Sequence, residues 1–275
     1  MSQSVETWSG KDRGDENFPV GSALIAPRLR PHVHAYYAFA RNADDIADSD
    51  ILAPDDKIAR LDTMEHVLLG QRADGAPSAT RLRASLAETG VTPVHATDLL
   101  IAFRRDAITP RTADWPALVE YCRYSAMPVG RYMLDLHGES RDTWAPSDAL
   151  CTVLQVLNHL QDGAKDLQEL DRCYVPEDLM AANGASVLDL HKHALSPGLK
   201  RVHDDLLARC DVLNAEAGDL PKRVKDRRLR LECAVITGLA RRLAARLRRE
   251  DPLAARVKLR KPDIFAAVLG ALRYL

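Results

Sequence analysis

Four aspartates, in two segments more than a hundred residues apart, carry the chemistry this sequence could do. The first segment, RNADDIAD (Arg41–Asp48), follows the apolar and aromatic run HVHAYYAFA. On a helix, Tyr37, Arg41, Asp44 and Asp48 stand at i, i+4, i+7 and i+11, a single stripe down one face. Asp45 lies about 100° around from Asp44 and is expected to face elsewhere. In the second segment, QVLNHLQDGAKD, the residues Gln155, Asn158, Asp162 and Asp166 stand at i, i+3, i+7 and i+11 among Val153, Leu154, Val156, Leu157 and Leu160. Like charges four apart disfavour a helix by ~0.2–0.5 kcal/mol. A partly buried carboxylate without a partner costs far more, several kcal/mol. Either stripe alone reads as a solvated helix end. Together, with an amide pair on one and Tyr-x-x-x-Arg on the other, they read as a clamp for Mg2+, which takes hard oxygen ligands and shares them with phosphate. Such a clamp suits ionisation of a carbon–diphosphate bond, leaving a carbocation in a dry apolar pocket.

Helices must position these stripes. Apolar residues recur at 3.6-residue spacing throughout, and few stretches alternate with period two. Start signals fall at Thr92-Pro93, Asp114 and Ser147, and stop signals at Gly90, Gly138 and Gly184. The spacing predicts helices over 29–48, 54–70, 78–90, 93–108, 115–137, 147–169, 197–216, 222–249 and 262–273, with Pro128 kinking the fifth. No long linker or repeat interrupts them, so the economical organisation is a polar, flexible segment over 1–17 followed by one all-α domain over 18–275.

Composition excludes several classes. The 275 residues are 46% hydrophobic and 28% charged with a net charge of −1, an ordinary globular balance that points to no nucleic-acid partner. The charge is unevenly spread: from Pro221 onward it is +11, against −12 for the rest. The basic block KRVKDRRLRLECAVITGLARRLAARLRRE carries Leu229, Ile236, Leu239, Leu243 and Leu247 at helical spacing. It reads first as a core helix with a solvated face, and second as a peripheral contact with anionic membrane or a phosphorylated ligand. Five cysteines without a CxxC motif fit a reducing compartment rather than a disulfide frame or zinc site. The N-terminal stretch lacks the apolar core of a signal peptide, and the apolar run IFAAVLGAL is too short to cross a bilayer. A cytoplasmic, at most membrane-peripheral, protein is expected.

Four segments in order resemble the squalene/phytoene synthases, the head-to-head prenyl synthases: YAFARNADDIAD, YCRYSAMPVG (Tyr121–Gly130), QVLNHLQDGAKD and RCYVP (Arg172–Pro176). The resemblance implies the all-α isoprenoid synthase bundle with a central active-site cavity, and a prenyl diphosphate substrate. It implies that Asp44, Asp48, Asn158, Asp162 and Asp166 bind Mg2+ and diphosphate, and that Arg41 and Arg172 meet phosphate oxygens. Tyr37, Tyr121, Gln155 and Tyr174 would line the cavity, with Tyr121 at the position of the family's catalytic tyrosine. DENF (Asp15–Phe18) stands where carotenoid-type members carry a Lys-bearing segment, and Gln161 where many carry Arg. ENFPVGS and KDLQELDRCYVP look most like the hopanoid branch, in which presqualene diphosphate is ionised and water traps the cation as hydroxysqualene. Other enzymes of that pathway are the expected protein partners.

Three alternatives stand beside this reading. One is condensation of two farnesyl diphosphates to presqualene diphosphate, squalene or dehydrosqualene. Another is a helical metal phosphohydrolase built on His32/His34, His191/His193 and His203-Asp204, whose spacings match no defensible ligand set. The third is a non-enzymatic scaffold recruited to membranes, which leaves the inward acidic stripes without a purpose.

Overall fold

Prolines and polar caps set the helix boundaries. In the computed structural model, which describes residues 4–6 and 24–275, the chain forms α1 (Arg30–Asp48), α2 (Pro54–Leu68), α3 (Pro77–Thr89), α4 (Val94–Ile108), α5 (Trp115–Ser125), α6 (Met127–Leu136), α7 (Trp144–Leu170), α8 (Glu177–Ala182), α9 (Pro197–Ala217), α10 (Leu220–Arg223), α11 (Arg227–Leu247) and α12 (Lys261–Ala271). No strand occurs among the described residues; the only β character there is an isolated parallel bridge between Arg111 and Cys173. The all-α expectation holds. Asp114 caps α5 by accepting from the Ala117 N–H at 2.8 Å, and Gly90 ends α3 in the left-handed region at φ 71°.

Three boundaries differ from the spacing. The helix expected over 115–137 is broken, not kinked: Ala126 leaves helical geometry at φ −125°, and α6 restarts with Pro128 in its first turn. Proline cannot donate to the preceding turn but suits a helix start, so a break satisfies it better than a bend. The start read at Ser147 lies one turn inside α7, because Ser140 caps a short 3-10 turn (Arg141–Thr143) that runs straight into it. The basic block splits into α10 and α11 at Val224, where the Glu139 carboxylate accepts from the Lys225 and Asp226 N–H groups.

Packing places the two aspartate helices together. One buried cluster joins α1 through α4 with Tyr132 and Leu136 of α6; the second gathers α5, α7, α9 and α11. Tyr36 of α1 and Tyr132 of α6 stack at 3.9 Å across the first cluster, their hydroxyls donating to the carbonyls of His95 and His32. Arg131 grips Asp148 with two bonds, 2.9 and 2.6 Å, locking α6 to α7. Gly130 faces that contact. A Cβ there would sit 2.5 Å from Ser147 Oγ and 2.7 Å from Cys151 Sγ, so only glycine admits α7 this closely. The two clusters leave cavities between α1 and α7.

Candidate active site

The stripes of α1 and α7 line one cavity of about 940 Å³. It gathers Arg41, Asp44, Asp48, Tyr121, Gln155, Asn158, Asp162, Asp166, Arg172 and Tyr174, ten of the residues singled out in the sequence. The eleventh, Tyr37, lies one turn before Arg41 and lines a separate apolar cavity of about 360 Å³ with Leu150, Cys151 and Leu154 of α7. Each helix thus serves both spaces, its N-terminal part apolar and its C-terminal part acidic.

On α1 the carboxylates are crowded and braced. Arg41 reaches Asp44 at 3.1 Å and Asp45 at 3.0 Å, its i+3 and i+4 neighbours. Asp45 therefore does not face away as helix geometry alone suggested. It is buried, lines the cavity and is drawn in because one guanidinium spans both positions. Asp44 is pushed up to about 8 by burial and by Asp48, against the pull of Arg41. A cation is what this carboxylate group needs.

Arg172 is brought to the stripe by an αL residue. Asp171, at φ 51°, ends α7 and turns the chain back, and Cys173 N–H then bonds the Pro110 carbonyl at 2.8 Å. Arg172 Nη1 meets Asp48 at 2.5 Å, Nη2 the Ala47 carbonyl at 2.8 Å, and Nε the Asp106 carbonyl at 3.1 Å. All three nitrogens donate within the protein, so this arginine braces α1 against α4. Burial works against its charge, but Tyr174, Asp106 and Asp48 hold the guanidinium protonated.

Asp106 was missed. Its carboxylate accepts from Tyr121 at 2.7 Å and from Tyr174 at 3.0 Å, and burial raises it although Arg172 and both hydroxyls oppose that. Burial, with Asp106 beside them, also lifts both tyrosines well above their usual range, so they remain hydroxyl donors. The signal was present: Leu99, Ala102 and Asp106 fall at i, i+3 and i+7 on the buried face of α4. His159 was missed too; it is buried, stacks on Tyr174 at 3.8 Å and lies 3.2 Å from the Gln155 amide. The bridge from Arg256 to Asp162, 2.9 Å, had no sequence signal, since Arg256 lies in an irregular segment before α12. Glu232, a buried carboxyl on the wall of the apolar cavity, was likewise unmarked.

Among the described residues, eight carboxylates line the acidic cavity (Asp44, Asp45, Asp48, Asp50, Asp106, Asp162, Asp166 and Glu169) against four cations (Arg41, Lys165, Arg172 and Arg256). The donors are oxygens on two facing helices, the set that suits a hard divalent ion rather than zinc. Among the described residues, no three or more His, Cys, Asp or Glu side chains are already gathered into a metal cage. The histidine pairs of the phosphohydrolase alternative do not reach this cavity, and His203 is buried elsewhere, its imidazole lowered to about 4 by burial. ENFPVGS, DENF and most of the 1–17 segment lie outside the described residues.

The family profile described as Squalene/phytoene synthase matches residues 11–263. A hydroxysqualene synthase of Rhodopseudomonas palustris is 47% identical over 99% of this chain and 93% of its own. One from Sinorhizobium fredii is 45% identical over 94% of this chain and 88% of its own. Among solved structures, the squalene synthase HpnC from Alicyclobacillus acidocaldarius superposes with a TM-score of 0.75 at 32% identity, covering 86% of this chain and 90% of that one. A dehydrosqualene synthase in complex with ligand, at 21% identity and a TM-score of 0.77 over 94% and 92% of the two chains, shares the fold. With a profile spanning most of its length and relatives matched almost end to end, the chain belongs to the squalene/phytoene synthase family and is an isoprenoid synthase.

Proposed function

We propose that this enzyme converts presqualene diphosphate and water to hydroxysqualene and diphosphate. The observation that carries the reading is that an acidic cavity and a separate apolar one lie along the same two helices. The likeness to named hydroxysqualene synthases supports it. A lining with twice as many carboxylates as cations repels a diphosphate, so the substrate must arrive with divalent metal. Asp44, Asp48, Asn158, Asp162 and Asp166 would hold Mg2+, which supplies Lewis-acid neutralisation of the leaving diphosphate.

The chain's own residues do the rest. Arg41 and Arg172 keep the α1 carboxylates together before substrate enters. Lys165, in a solvent-exposed ion pair, and Arg256, whose own side chain is exposed, are the cations with least to lose in turning toward phosphate. Asp106 holds the Tyr121 and Tyr174 hydroxyls in place. The cation formed on ionisation is shielded by the apolar walls, where Tyr37, Ser147 and Glu232 are the polar side chains able to hold the attacking water. The five free cysteines suit the reducing cytoplasm, where we place the enzyme.

Incubation with presqualene diphosphate and, separately, with farnesyl diphosphate, each with Mg2+ and read by product mass, tests this. Hydroxysqualene from the first is expected. Consumption of farnesyl diphosphate with presqualene diphosphate untouched would sink it and favour condensation.

A further inference from the structure

The basic helix α11 has its apolar side already spent: Leu229, Leu239, Leu243 and Leu247 are buried in the core, and Ile236 lines the apolar cavity. It offers a bilayer charge but no greasy face. The next helix is the reverse. On α12 and the turn that follows it, Ile264, Phe265, Val268, Leu269, Leu272 and Leu275 are all exposed, Phe265 by 70%. Only small residues, Ala267 and Ala271, are buried against α11, with Ala267 seated on Gly238. The family profile ends at residue 263, so this surface lies beyond what the profile describes.

The surroundings of the patch are cationic. Lys258, Arg260 and Lys261 lead into α12, Arg260 beside Glu250 at 3.2 Å, and Arg273 follows it; over 257–275 the one acid is Asp263, which is held by Arg246 at 2.6 Å. Between α11 and α12 a recess of about 380 Å³ is lined by Arg241, Arg242, Arg273 and Tyr274, and the buried Arg242 Nε in it has no hydrogen-bond partner among the described residues. We propose that α12 and its basic leader are a docking surface for an anionic lipid bilayer: the apolar face enters the acyl boundary and the arginines and lysines meet headgroup phosphates. Charge selects lipid over a second copy of this chain, because pairing two such faces would bring two basic rims together. The surface stands whatever the reaction is; for the reaction proposed above it gives a C30 alcohol a way out of water.

The test is flotation of the full chain with vesicles of phosphatidylcholine alone and of phosphatidylcholine mixed with phosphatidylglycerol. Binding to the mixed vesicles alone, released by high salt, is expected. Phe265→Ser with Leu269→Ser should weaken it by at least about tenfold. Lys261→Gln should weaken it by about fivefold, the effect of one juxtamembrane charge. Both variants should turn over detergent-dispersed substrate as the parent does. Equal binding to neutral vesicles, or none to either, overturns the proposal. So does a doubled mass in light scattering that Phe265→Ser abolishes, because the face would then be a dimer contact. Should the double variant fail to fold, the salt release and Lys261→Gln still decide.

Discussion

Asp44 and Asp48 on α1 repeat the spacing of Asp162 and Asp166 on α7, yet the two pairs are held by different means. The α1 pair sits with Asp45 and Asp106 around two largely buried arginines, and Arg172 ties it to α4 and to the chain beyond α7. The α7 pair is less exposed but more loosely paired: its ion pair comes from Arg256, 42% exposed, and His159 approaches Asp166 only to 3.9 Å. One half of the site is built before substrate arrives and stores electrostatic repulsion. The other has partners that can be exchanged when a diphosphate enters. Equal spacing in sequence does not mean equal energetics in the fold.

Substitutions can break this contrast. Arg172→Met should have the largest effect on stability, a loss of about 3 kcal/mol in urea unfolding, because it leaves half-buried Asp48 without its cation and two carbonyls without their donor. A loss below 1 kcal/mol, as for an exposed pair, would remove the bracing role. Next come Asp44→Asn and Asp162→Asn, each expected to lower turnover by more than about 100-fold, beyond what loss of an outer-shell metal partner brings. Their stabilities should diverge. Metal-free Asp44→Asn melts higher than the parent because a repelled carboxylate is gone, while Asp162→Asn melts close to it. Equal shifts in both would erase the asymmetry.

The pH dependence sharpens it further. Asp44 titrates near 8 in the fold against 3.8 unfolded, so the metal-free protein binds the proton more tightly when native. Its contribution favours the fold at acid pH and declines as pH rises from about 4 to about 8, levelling above. Thermal melts across that range should show the decline in the parent and not in Asp44→Asn. Mg2+ with diphosphate should bind more tightly toward pH 8, releasing protons measurable by calorimetry in two buffers. The smallest expected effect is Arg256→Gln: stability within about 1 kcal/mol of the parent, with a raised KM for the diphosphate and little change in kcat.

What the sequence made legible follows from what kind of signal each residue leaves. The stripes were readable because helical spacing alone puts Asp44 with Asp48 and Asp162 with Asp166 on one face, and both faces do line the same cavity. Asp45 was misread because an arginine's reach, not the helix angle, decides which carboxylates join the group. Tyr37 sits on the stripe but one turn too early, so it belongs to the apolar space. Arg256 reaches Asp162 across 94 positions from a segment without periodicity, a pairing that exists only once the chain is folded. Asp106 left a pattern, a carboxylate on a buried helical face, and was passed over for want of a partner in sequence.

Gly130 has a consequence for selectivity among hydrocarbon chains. Ser147 and Cys151, the side chains that a Cβ at Gly130 would strike, are both wall residues of the apolar cavity. The missing methyl on α6 therefore sets how closely α7 approaches α6, and with it the width of the apolar cavity. An apolar pocket distinguishes chains differing by one methylene by only ~1–3 kcal/mol. A helix spacing fixed by one absent side chain acts on the whole length of the tail at once, as a gauge of its bulk.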